Sequence, residues 1–259
     1  MAAPAVRWHR ATRGPSQGLD TLTQPNHDGA MTTPAGHLRY ARAARAWHAA
    51  TCVVASAALL LQTWLVLRGV PVLADIEVPP LPIRSGRLIS YFTIQSNLLV
   101  AVTSAMLALR PDRDGSVFRV VRLDAVVGIT LTGVVHFVAL RPVLRLVGWS
   151  WWADLGLHIL TPALCVTAWL LVGPRPRIDR RTCLLAALWP LAWLAWTLAI
   201  GALTGWYPYP FLNAGQLGYP PVLVACLVIT GVFGALLATG AILDRRLRPA
   251  PGAIDTVTP

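Results

Sequence analysis

A threonine hydroxyl becomes a nucleophile only when a base takes its proton, and a neutral imidazole suits that task near neutral pH. This chain carries such a pair inside apolar stretches: Thr93 in Tyr91-Phe92-Thr93-Ile94-Gln95-Ser96-Asn97, and His158 in Ala153-Asp154-Leu155-Gly156-Leu157-His158, followed by Pro162. Asp154 stands one helical turn before His158, where its carboxylate can orient the ring or stabilise an imidazolium, or can equally face the headgroups. Ser90 and Asn97 flank Thr93, and either could donate to an oxyanion. His136 ends a stripe of Asp124, Gly128, Thr132 and His136 at successive i+4 steps, which would suit a proton relay. His136, His158 and Asp154 also have the ligand types of a zinc site. No E-x-x-H or H-x-x-x-H spacing supports one, so neither a metal nor another cofactor is expected.

Each of these residues has an ordinary structural explanation when taken alone. Thr93 can bond its own helix backbone, and either histidine can simply bridge two helices. What argues for chemistry is coincidence of depth. Ionisable and amide groups are costly inside a membrane span, and three spans here offer a hydroxyl and two imidazoles about 6–8 Å below the same boundary.

The elements that position them follow from composition. Of 259 residues, 55% are apolar and 13% charged, and the mean hydropathy is +0.57, which excludes an ordinary water-soluble enzyme. All 22 basic residues are arginine, giving a net charge of +11, but they fall in short runs between apolar stretches rather than on one face, so no nucleic-acid partner is expected. Apolar stretches at about 47–67, 88–109, 120–140, 153–172, 182–203 and 221–243 are each long enough to cross a bilayer. Lipid cannot satisfy open backbone groups, so these must be helices: an all-α bundle of six transmembrane spans. Thirteen arginines lie beside one set of span ends and five beside the other, which predicts a multi-pass plasma-membrane protein with both termini in the cytoplasm.

Residues 1–38 have no apolar period and read as a disordered tail, and Met31 offers an alternative start that would place residues 1–30 upstream of the native protein. Residues 244–259 read as a polar cytoplasmic tail. The four cysteines, Cys52, Cys165, Cys183 and Cys226, lack any paired spacing and read as small core residues. Trp149, Trp151, Trp152 and Trp206 fall at the outer span ends, where indoles anchor at the headgroup level. Trp189, Trp193 and Trp196 form an i, i+4, i+7 stripe suited to packing or lipid contact. The connection after span five, Gly205-Trp206-Tyr207-Pro208-Tyr209-Pro210-Phe211-Leu212, is stiff and aromatic. Trp206, Tyr209, Pro210 and Phe211 can cap the outer mouth of the bundle or only anchor the helix ends.

The Thr93 and His158 segments and the 206–212 loop together resemble a set of uncharacterised bacterial six-helix membrane proteins, over about residues 45–247. More remotely they are similar to the androgen-induced-gene family, six-helix proteins that hydrolyse fatty acid esters of hydroxy fatty acids within the membrane. That resemblance implies Thr93 as nucleophile, His158 as the essential histidine, membrane lipids as surroundings and a fatty-acyl ester as substrate. The Gln95-Ser96-Asn97 run departs from the eukaryotic pattern, and a shared scaffold does not fix a shared reaction. Two other classes therefore stay open: a small-molecule or proton-linked transporter using the Asp124–His136 stripe, and a non-catalytic lipid-binding or scaffold protein. The sequence does not specify an oligomeric state.

Overall fold

The computed structural model describes residues 34–72, 78–142 and 144–247, and no strand occurs among them. Six helices among the described residues are long and apolar enough to cross a membrane, beginning with Leu38–Leu67 and ending with Tyr219–Arg246. This is the architecture of a multi-pass membrane protein. The most buried span is the third, which packs against the second, fourth and sixth and against the start of the fifth, while the rest of the fifth is the most exposed.

Helix α1 runs Pro34–Leu67, so the first helix starts well before the expected residue 47 and takes in the last part of the expected tail. The arginine- and alanine-rich segment before Trp47 lacks apolar continuity but contains good helix formers, which extend the helix before the apolar stretch. Residues 1–33 and 248–259, to which most of both expected tails belong, lie outside the described residues.

The expected second span is two helices, α2 (Leu81–Ser90) and α3 (Phe92–Leu109), separated by Tyr91 in an extended conformation at φ −69°, ψ 128°. No proline or glycine marks this break. Its cause is tertiary: the buried Tyr91 ring meets the edges of Trp206 and Tyr209 from the outer loop, with centroids 5.9 and 5.7 Å apart. Ser90 therefore belongs to α2 rather than to the Thr93 face, and Thr93 occupies the first turn of α3.

The third span is α4 (Ser116–Val135), which widens into a π turn at His136–Leu140. The fourth is α5 (Trp149–Leu155), a second π turn at Gly156–Leu160, and α6 (Thr161–Val172). Pro162 explains the second widening. It lacks an N–H, and its ring would strike the His158 carbonyl in a regular α-helix, so the backbone opens by one residue and the Thr161 N–H bonds to Gly156 instead. Gly156 also lets α1 come close: a Cβ there would stand 2.7 Å from that of Ala58.

The fifth span comprises α7 (Arg180–Ala186), capped by the Asp179 carboxylate on the Thr182 N–H, and α8 (Leu188–Thr204). A loop with one 3₁₀ turn at Pro210–Leu212 and a short α9 (Ala214–Leu217) leads to α10 (Tyr219–Arg246).

The basic connections gather at one end of the bundle. Arg177 donates to the Arg113 and Asp112 carbonyls, and the buried Asp244 carboxylate accepts the Arg177 and Ile178 N–H groups at 2.6 and 2.7 Å. Arg119 pairs with Asp114 at 2.7 Å there. Thr93, His158 and the 206–212 loop lie at the opposite end.

Candidate active site

Thr93 is at the start of α3, where first-turn N–H groups have no carbonyl partner within the helix. Its N–H donates to the Tyr209 hydroxyl at 3.3 Å, and its own hydroxyl lies 3.3 Å from the same oxygen. On the other side, Thr93 Oγ1 is 3.4 Å from His158 Nε2. That separation is at the long end for a hydrogen bond, as is common in a catalytic pair without substrate.

His158 is oriented from behind. Its Nδ1 lies 2.9 Å from Asp154 Oδ1 and 3.3 Å from the Asp154 carbonyl, and both neighbours are acceptors. The proton of a neutral ring therefore belongs on Nδ1, leaving the Nε2 lone pair for Thr93. The second carboxylate oxygen, Asp154 Oδ2, lies 3.3 Å from His136 Nε2, and the two imidazoles stack at 3.9 Å between centroids. One carboxylate thus spans two histidines.

His136 is 1% exposed, and the sequence stripe that suggested a relay is divided in space. Thr132 donates to Ser96, while the buried Asp124 carboxylate keeps one oxygen without a hydrogen-bond partner among the described residues. His136 thus joins Asp154 and His158 in a group whose ligand-type atoms all lie within 4.8 Å of one another. The sequence names these three as possible ligands, but no spacing shows that they meet, because His136 enters the group from a different span.

The remaining expected residues take other places. Asn97 donates to the carbonyls of Thr93 and Leu157 at 2.8 and 3.2 Å, tying α3 to the His158 turn and committing its N–H groups. Ser90 donates to the Gly86 carbonyl within α2. Neither amide nor hydroxyl is aimed at Thr93 Oγ1. Tyr209 is. Burial pushes its phenol above the ordinary tyrosine value, so it remains a protonated donor at neutral pH. Its ring stacks on Phe211 at 5.3 Å, and Pro210 begins the 3₁₀ turn that fixes both. Trp206 packs on Tyr91 and beneath the Arg87 guanidinium, 5.0 Å from the ring centre.

No family model, curated protein or solved structure matches this chain.

Two cavities meet at Thr93. A cavity of about 170 Å³ is walled by apolar side chains of α3, α4, α8 and α10, among them Phe92, Leu131, Val135, Trp193 and Phe233. A smaller one of about 60 Å³ contains Asp154, His158, Ser150 and Gln62. Thr93, His136, Leu140 and Tyr209 line both, so the hydroxyl stands where an apolar compartment joins one that also holds polar side chains. The tryptophan stripe of α8 is split accordingly. Trp189 stacks on Phe92 at 4.6 Å and donates to Gln95, Trp193 donates to the Ser90 carbonyl, and Trp196 is exposed.

Proposed function

We propose that the chain is an intramembrane hydrolase of lipid or fatty-acid esters, with Thr93 as nucleophile and His158 as general base. The observation that carries this reading is the relay Thr93 Oγ1–His158 Nε2, His158 Nδ1–Asp154 Oδ1, at 3.4 and 2.9 Å, set at the junction of the two cavities. Thr93 attacks the ester carbonyl while its proton passes to His158 Nε2, and the resulting imidazolium is stabilised by Asp154. The tetrahedral oxyanion is met by the Tyr209 hydroxyl and the Thr93 N–H, with the N-terminal end of α3 adding its dipole. His158 returns the proton to the leaving alkoxide, and water in the polar cavity then cleaves the acyl-threonine with His158 again as base.

The apolar cavity supports an acyl chain as the substrate's larger part, entering sideways between α8 and α10. The resemblance to the androgen-induced-gene family points to the same pair of residues and the same ester class. The transporter reading has less support, since Thr132, between Asp124 and His136, donates to Ser96, and no chain of hydrogen bonds runs from Asp124 to His136 among the described residues. A scaffold would not require a histidine tautomer fixed toward a buried hydroxyl.

A serine/threonine-hydrolase phosphonate probe tests this reading on the full chain purified in detergent. Labelling of the wild type that disappears in Thr93→Ala is the expected result. Absence of labelling on a folded protein overturns the hydrolase.

The plasma membrane as location and both termini in the cytoplasm belong to the same reading, on the arginine asymmetry. This places the Thr93 site in the outer leaflet. With the native cysteines removed, an impermeant thiol reagent applied to intact cells should modify a cysteine introduced at Gly205 but not one at Arg177. The reverse pattern inverts the orientation.

A further inference from the structure

We infer that the His136–Asp154–His158 group is a zinc site, and that zinc bound there switches the Thr93 site off. The site follows from the ligand geometry alone, whereas the inhibition rests on the hydrolase reading.

Zinc bonds to imidazole nitrogen and carboxylate oxygen are about 2.0–2.1 Å long, which sets tetrahedral ligand atoms about 3.4 Å apart. His158 Nδ1 and His136 Nε2 already stand 2.9 and 3.3 Å from the two Asp154 oxygens, and the three ligand atoms, one from each residue, lie within 4.8 Å of one another. The set is held from three directions. His136 sits in the π turn ending the third span, Asp154 in α5, and His158 in the π turn that Pro162 enforces. Two imidazoles and one carboxylate select zinc over magnesium or calcium, which take all-oxygen shells.

In the structure the two rings are nearly parallel, 14° apart, so their in-plane lone pairs do not converge on one point. Binding requires the stacked pair to tilt apart. The polar cavity of about 60 Å³ alongside gives room for that tilt and for a water as fourth ligand.

The consequence for Thr93 is a matter of tautomers. Without metal, Nδ1 of His158 carries the proton and Nε2 presents a lone pair to the threonine hydroxyl. Zinc coordinates Nδ1 only in the tautomer whose proton has moved from Nδ1 to Nε2, so the Nδ1 lone pair goes to the metal and the group facing Thr93 becomes a donor. No base remains to accept the threonine proton. The ion also draws Asp154 away from its role as the ring's orienting acceptor. Zinc and nucleophile activation are therefore mutually exclusive at His158.

The test is calorimetric titration of the full chain in detergent with Zn²⁺, alongside His136→Gln, Asp154→Asn and Thr93→Val, each checked by its unfolding midpoint. His9, His27, His37 and His48 lie outside the group, so the reading is the difference between wild type and variant. Expected is one saturable site per chain, weakened about 100-fold or more in His136→Gln and Asp154→Asn, and unchanged in Thr93→Val. Co²⁺ should give the intense visible bands of a four-coordinate ion in wild type and lose them in His136→Gln. Phosphonate labelling of Thr93 should be blocked by zinc and restored by chelator. Zinc binding equal in wild type and His136→Gln overturns the site, whatever the enzyme does. Labelling that continues at saturating zinc overturns the inhibition. Saturable, His136-dependent zinc binding in a protein that never labels supports the site and overturns the hydrolase instead.

Discussion

Thr93→Val is expected to lower ester turnover by about 10⁴-fold or more while moving the unfolding free energy by only about 1 kcal/mol. Valine keeps the branched shape of threonine in its buried position, so packing against α3's neighbours persists. The Tyr209 hydroxyl keeps its bond from the residue-93 N–H, and His158 keeps its Nδ1 contact with Asp154 and its place in the wall of the smaller cavity. What vanishes is the oxygen that forms the acyl intermediate. His158→Gln should fall to a similar level, because the nucleophile and its base act as one unit and their losses do not add. Asp154→Asn should cost less, since it removes orientation and charge but leaves the imidazole. His136→Gln should cost less again: it releases only the second oxygen of that carboxylate. Turnover that survives in both Thr93→Val and His158→Gln, on any ester the wild type cleaves, removes this mechanism.

The ordering of those four variants also shows what a sequence can and cannot disclose here. Six spans are legible because a bilayer leaves the backbone few options, and apolar length is written directly in the chain. Asp154 and His158 are legible as neighbours because they are one turn apart on the same helix. His136 is legible as a candidate third member by its type and depth, but its contact with them is not, because its meeting with His158 depends on two π turns and on how closely the third and fourth spans pack. The pattern names Pro162 but not the widening it causes. The break at Tyr91 is hidden for a related reason: nothing between Arg87 and Asn97 is a helix breaker, and the extended residue is held by rings from a loop more than a hundred positions later. That break frees the Thr93 N–H from the helix, so a feature absent from local sequence creates one of the two oxyanion donors.

The other donor is the hardest to read in advance. A tyrosine in an aromatic loop suits interfacial anchoring, and only the fold turns Tyr209 inward onto Thr93. Tyr209→Phe isolates its hydroxyl, because phenylalanine retains the ring's edge contact with Tyr91 and its stack on Phe211. Loss of one preorganised donor to an oxyanion costs about 10²–10³-fold in kcat, and that is the expected result here. KM should change little, since the hydroxyl strengthens its bond only as negative charge develops on the substrate oxygen. Reaction of Thr93 with a phosphonate, whose adduct mimics the same tetrahedral geometry, should slow in parallel with turnover. A merely structural Tyr209 would lower the unfolding midpoint and leave kcat per folded molecule intact. If kcat is unchanged in Tyr209→Phe, the phenol is no part of the oxyanion site, and the N-terminal turn of α3 must stabilise the charge alone.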